Sequence, residues 1–227
     1  MSYPDAQETP EEKWAYLRKG IIEWWSPEDH DFPWRKPDDE WKLLVTEILL
    51  QRTRASAVAQ LYDDFFERFP TPESLAEAST EEVGDAIYSL GLAWRAKYIS
   101  QLGDQLAELT GEVPDTRDGL KELPGVGPYV SGAFQVLHRN QPDSFVDSNV
   151  VRLLGRYFGF EWDGETRRRK WFLQFVDRLF EHEYEPSRFG YALLDFTREV
   201  CAPSPNCEVC PVRERCHFAA EHKQARI

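Results

Sequence analysis

Leu123–Asn149 reads LPGVGPYVSGAFQVLHRNQPDSFVDSN, and the rest of the chain is best read outward from it. It opens on a glycine-punctuated turn, Leu123-Pro124-Gly125-Val126-Gly127, and runs through Pro128-Tyr129 straight into a helical pattern. Gly125 and Gly127 are free to take positive φ, and Pro128 suits the first turn of a helix, where a missing N–H costs nothing. A turn of this kind leaves backbone N–H groups aimed outward at a helix start, a cradle shaped for one phosphate. An ordinary helical hairpin is the plainer reading; helix on both sides of the turn, anchored by Leu123 and Val126, favours the phosphate grip. Asp147, in Val146-Asp147-Ser148-Asn149, precedes another amphipathic run. Alone it reads as a helix N-cap, a role that leaves its second oxygen open to a cleft.

Working outward, helix dominates. Apolar spacing predicts helices over 11–25, 40–52, 55–69, 72–78, 81–90, 94–111, 115–122, 129–139, 150–158, 167–181 and 186–200. No stretch alternates as a strand does, so the fold class is all-α. In the second of these helices Trp41, Leu44, Val45, Ile48 and Leu49 form one stripe, while Leu43 and Leu50 lie opposite. That helix is therefore buried nearly all round, with Glu47 inside it. Paired with an arginine such as Arg35, Glu47 would be structural. Set beside an ionised carboxylate such as Asp147, a buried acid suits glycosidic-bond cleavage.

The 227 residues can bury a sizeable core, and no apolar run is long enough to cross a bilayer. The polar start is no signal peptide, so a soluble cytoplasmic protein is expected. The net charge of −13 opposes binding to nucleic acid as a whole. Acidic residues crowd the N-terminus (Asp5, Glu8, Glu11, Glu12), 38–40 and 73–85, whereas basic ones gather at Arg152, Arg156, 167–170, Arg213 and Arg215, leaving room for a local basic face. The 27 basic residues divide into 19 Arg and 8 Lys, and an acidic, Lys-poor composition is the one expected of a halophilic prokaryote.

All four cysteines fall late, as Cys201-x5-Cys207-x2-Cys210-x5-Cys216. Two disulfides are the alternative, yet nothing in the sequence signals export. Zinc normally uses two paired knuckles, and only Cys207-x2-Cys210 is one; four close thiols fit a single cubane cluster better.

Taken together, Phe32-Pro33-Trp34-Arg35, Thr46-Glu47-Ile48-Leu49-Leu50-Gln51-Arg52-Thr53, the hairpin, Val146-Asp147-Ser148-Asn149 and the cysteine array resemble the helix-hairpin-helix DNA glycosylase superfamily of endonuclease III type. The resemblance spans about Phe32 to Cys216 and departs in the first cysteine gap, five residues where six is common. It implies two helical lobes about a cleft: 28–140 with the hairpin, and 1–27 plus 141–227 with a 4Fe-4S cluster on Cys201, Cys207, Cys210 and Cys216. It also implies a monomer, associated with the nucleoid, that acts on double-stranded DNA with a mispaired base. Asp147 would serve the sugar and Glu47 the departing base, with Tyr129 against it. Bifunctional members carry a strand-cutting Lys where this chain has Tyr129, which implies a monofunctional enzyme. Gly125, Gly127, Arg152, Arg156, Arg213 and Arg215 would hold phosphates, Gln51 or Arg52 would fill the gap left by a flipped nucleotide, and Asn149 would contact water or phosphate. The wording of 46–50, Gly91-Leu92-Ala93-Trp94 and Leu193-Leu194-Asp195-Phe196 favours the branch that removes T or U opposite G. The branch removing A opposite oxidised guanine is the alternative, and a non-catalytic DNA-binding iron–sulfur module is a third reading.

Overall fold

The computed structural model describes residues 11–36, 38–91 and 93–224, with backbone alone at Asp29, Lys223 and Gln224. Asp5, Glu8 and Leu92 lie outside the described residues. Among those described there are helices and no strands, and no helix is long and apolar enough to cross a membrane. The chain divides into two compact units, residues 28–138 and the segments on either side of them.

The unit of residues 28–138 holds α2 (Glu40–Leu50), α3 (Ala55–Arg68), α4 (Pro72–Glu77), α5 (Thr80–Ala86), α6 (Trp94–Glu108), α7 (Arg117–Lys121) and α8 (Pro128–Leu137). Its centre is α2, in which every residue from Leu43 to Leu49 is buried, Glu47 among them. Helices α6 and α8 pack on α2, and α7 packs on α8 to close the hairpin. Thr71 with Ser74 and Ser79 with Glu82 form capping boxes that start α4 and α5, so two short helices begin sharply. Neither Asp38 nor Asp39 caps α2 through its side chain. Asp39 occupies the N-cap position without a side-chain bond, while Asp38 meets Lys42 at 3.2 Å and the Tyr62 hydroxyl at 3.0 Å.

The other unit comprises α1 (Glu11–Trp24), α9 (Ser148–Phe158), α10 (Lys170–Phe180), α11 (Pro186–Glu199) and α12 (His217–Gln224). Trp14 of α1 is fully buried, its ring centroid 4.4 Å from that of Phe158 and 4.7 Å from that of Phe175. Aromatic edges and faces meeting at these distances tie α1 to α9 and α10 beyond simple area burial. Asp195, with a fully buried side chain, accepts from the Trp25 indole at 2.8 Å on one oxygen and pairs with Arg198 at 2.9 Å on the other.

The expected 81–90 and 167–181 helices are each interrupted. Tyr88–Leu90 and Thr166–Arg168 are single 3-10 turns flanking α5 and α10. In the second case Asp163 accepts from the Thr166 hydroxyl at 3.0 Å and the Glu165 N–H at 3.0 Å, which pins a turn where apolar spacing predicted helix.

Candidate active site and cysteine centre

The glycine turn is built as expected at one of its two glycines. Gly125 sits at φ +79°, with positions for an added Cβ only 3.1 Å from Ile48 and Tyr98. Gly127 is extended at φ −96°, so positive φ is not what it supplies. Instead it is the N-cap of α8, brings no side chain to its N–H groups, and faces open space where a Cβ would stand. That is the geometry for a ligand strand to approach backbone closely. Tyr129, in the first turn of α8, lies half-buried against the unit's core.

Gln51 and Arg52 end α2 beside this turn. The Gln51 side-chain amide donates to the Gly125 carbonyl at 3.1 Å, so it braces the hairpin. Arg52 is exposed and takes φ +57°, a left-handed backbone that non-glycine residues adopt at a cost. Sequence spacing left the two equivalent; the structure gives the anchored role to Gln51 and the projecting one to Arg52. Behind both lies Arg95 of α6, fully buried and without a carboxylate partner among the described residues. It donates to the carbonyls of Leu49, Gln51, Leu90 and Gly91. Carbonyl dipoles at the C-terminal end of α2 thus stand in for a counterion.

Glu47 meets His138, not Arg35. His138 Nε2 and Glu47 Oε1 are 2.9 Å apart, and both side chains are 2% exposed. His138 caps the C-terminal end of α8, its backbone N–H donating to Phe134. Ninety-one positions separate the partners, so no local pattern announced this pair.

In the other unit, Asp147 is the N-cap of α9. Its Oδ1 accepts from the N–H groups of Asn149 at 2.9 Å and Val150 at 2.8 Å. Its Oδ2, expected to be open, accepts from the Asn149 side-chain amide at 2.5 Å. Burial pushes this carboxyl above the usual carboxylate range, while the bonds from Val150 and Asn149 and the charge of Arg152 pull it back. The chain of bonds continues, because Asn149 Oδ1 accepts from Arg152 at 2.9 Å.

Arg152 therefore has a use other than the phosphate contact expected of it. Its remaining bonds go to the carbonyls of Thr197 at 2.8 Å and Cys201 at 2.9 Å. Arg156 is used in the same way, donating to Ala202 at 2.6 Å and Pro203 at 2.8 Å. Arg213 and Arg215 form a 3-10 turn between Cys210 and Cys216. Arg215 is exposed but leans 4.6 Å over the Tyr16 ring, and Arg213 is half-buried, its guanidinium 3.5 Å from the Glu208 carbonyl.

The four cysteines are free thiols lining one pocket, with Leu153, Tyr157, Phe196, Val200 and Phe218 among its walls. Arg156 reaches Cys201 Sγ at 3.7 Å. Burial pushes the thiols of Cys201 and Cys216 up and that of Cys210 to about 12, so deprotonating them together calls for a bound cation. Four sulfur donors set among apolar walls suit a thiolate-bound metal or iron–sulfur centre.

Residues 45–176 match the model of the HhH-GPD superfamily base excision DNA repair protein. The chain is 36% identical over 204 residues to a thymine/uracil-DNA glycosylase of Pyrobaculum aerophilum, covering 86% of this chain and 88% of that one. It is 34% identical over 210 residues to a thymine-DNA glycosylase of Aeropyrum pernix, covering 89% and 93%. A solved thermostable thymine-DNA glycosylase superposes with a TM-score of 0.84 at 30% identity, over 92% of this chain and 98% of that one. With the hairpin, the capped aspartate and the all-helical architecture in place, these matches show that the chain belongs to the HhH-GPD superfamily of base excision DNA repair proteins.

Proposed function

We propose that the protein is a monofunctional DNA glycosylase that hydrolyses the N-glycosidic bond of T or U mispaired with G. The observation that carries this reading is Asp147, a half-buried carboxylate held at a helix N-cap by three hydrogen bonds. A fixed carboxylate opposes the positive charge that grows on the sugar as the bond breaks. The C1′–N1 electron pair leaves with the base as Glu47 gives the base a proton, and water adds to C1′, its released proton returning to the Glu47 carboxylate. Relatives named for thymine and uracil support the choice of base. The hairpin amides at Gly125 and Gly127 and the exposed Arg52 would hold the duplex, with Arg213 and Arg215 beside the cysteine loop. Cys201, Cys207, Cys210 and Cys216 would bind a 4Fe-4S cluster, which when bound cross-links the 201–216 loop. Equal iron and sulfide contents near four per chain would support the cluster, and one zinc per chain would overturn it.

Tyr129 stands where a Schiff-base lysine would be needed, and a phenol cannot form an imine. One panel of duplexes carrying G·T, G·U, A opposite oxidised guanine, and hypoxanthine tests the reading. Abasic product from G·T and G·U, cut only after alkali, is expected. Preference for A opposite oxidised guanine, or strand cutting without alkali, would overturn it. In the same panel Tyr129→Lys is expected to give a borohydride-trapped covalent complex that the wild type does not form.

A further inference from the structure

Two buried carboxyl groups behave differently. Asp195 has both oxygens engaged, one by the Trp25 indole and one by Arg198, as a purely structural acid requires. Glu47 is as deeply buried, yet among the described residues its one hydrogen-bond partner is His138, which engages Oε1 alone. Its second oxygen has no donor among the described residues, so it is the oxygen left to meet a bound group. The imidazole comes from the C-cap of α8, the helix whose N-terminus carries Gly127 and Tyr129. At 10 residues that helix is roughly 15 Å long. One rigid element therefore presents the hairpin turn at one end and orients Glu47 at the other.

We propose that His138 is the positioning residue for Glu47: its Nε2–H donates to Oε1, fixes the carboxyl in one orientation and leaves Oε2 to meet the departing base. Once Glu47 has given up its proton, the same N–H steadies the carboxylate left behind. This inference rests on the glycosylase reading above.

The test uses the full chain in single-turnover base release from G·U and G·T duplexes. Binding is measured on a duplex whose target nucleotide carries a 2′-fluorine and resists hydrolysis, and melting temperature is recorded for each variant. His138→Phe keeps a ring but no donor, and is expected to lower the release rate by ~10²-fold, the scale of one acid–base contribution, with binding unchanged. His138→Gln restores a donor and is expected to recover most of the rate. In a Glu47→Gln background His138→Phe is expected to cost little more, because the two act as one unit. Wild-type rates in His138→Phe, no recovery in a folded His138→Gln, or full additivity with Glu47→Gln would each overturn the inference while leaving the glycosylase reading intact. A wild-type chain that releases no base from either duplex would overturn both.

Discussion

Asp147→Asn is expected to lower base release by ~10³-fold or more while the protein still folds and binds duplex. Asparagine is a good N-cap, so its carbonyl oxygen can keep the two backbone bonds that Oδ1 now accepts from Asn149 and Val150. Its NH2 group must then stand where Oδ2 stood, facing the Asn149 side-chain amide donor at the present 2.5 Å. Two donors cannot bond. Turning over the Asn149 amide only passes the conflict on, because that oxygen now accepts from Arg152. Arg152 cannot yield easily, since its other N–H groups hold the Thr197 and Cys201 carbonyls. Every hydrogen in this chain of bonds points toward Asp147, and only an acceptor-only carboxylate ends it properly. The variant is thus expected to lose ~1 kcal/mol of stability as well as its charge. Single-turnover release and a melting curve measure the two effects; release within tenfold of wild type would remove Asp147 from the chemistry.

What could be read in the sequence was what lies close along it. The hairpin, the Asp147 cap and the cysteine array each occupy a short stretch, so residue type and spacing nearly determine them. The all-helical class followed from apolar spacing, plainest in α9, where Val150, Val151, Leu153, Leu154 and Tyr157 are buried and Arg152 and Arg156 between them are not. Asp38, beside the start of α2, bonds the Tyr62 hydroxyl 24 positions away, which local spacing does not announce. Helix α12 went unseen, since eight residues following a cysteine loop carry too few apolar positions to show a stripe. Contacts between distant positions could not be read at all. Glu47 has no nearby signal pointing to His138, and a histidine at the end of an apolar helix looks like any cap. Arg152 looked like a phosphate ligand because basic residues gather from it onward in the sequence. The structure makes it a strut because the Cys201 carbonyl, far along the chain, comes within 2.9 Å.

Arg95→Met should be the most damaging change outside the reacting groups. Methionine fills much of the volume but donates nothing, leaving the carbonyls of Leu49, Gln51, Leu90 and Gly91 without their guanidinium. Burial already pushes the Arg95 guanidinium down from its ordinary value, so its charge is tolerated only because these carbonyls surround it. Unsatisfied buried acceptors cost about 1–3 kcal/mol each and do not simply add, so a loss of roughly 3 kcal/mol is expected. In a chain of this size that lowers the melting temperature by roughly 6–12 °C. The functional loss follows from where the carbonyls lie. Two of them, at Leu49 and Gln51, end α2 just before Arg52, and Gln51 in turn braces Gly125 in the hairpin. The other two fix the turn that leads into α6. Removing Arg95 frees both segments at once, so duplex binding should weaken by about tenfold, equivalent to ~1.4 kcal/mol. A lysine in place of this arginine would keep the charge but present its donors from a single point, reaching one side of the junction and not both. Arg95→Lys is accordingly expected to fall between wild type and Arg95→Met in melting temperature and in binding. If Arg95→Met melted and bound as the wild type does, the junction of α2, the hairpin and α6 would have to be held by packing alone.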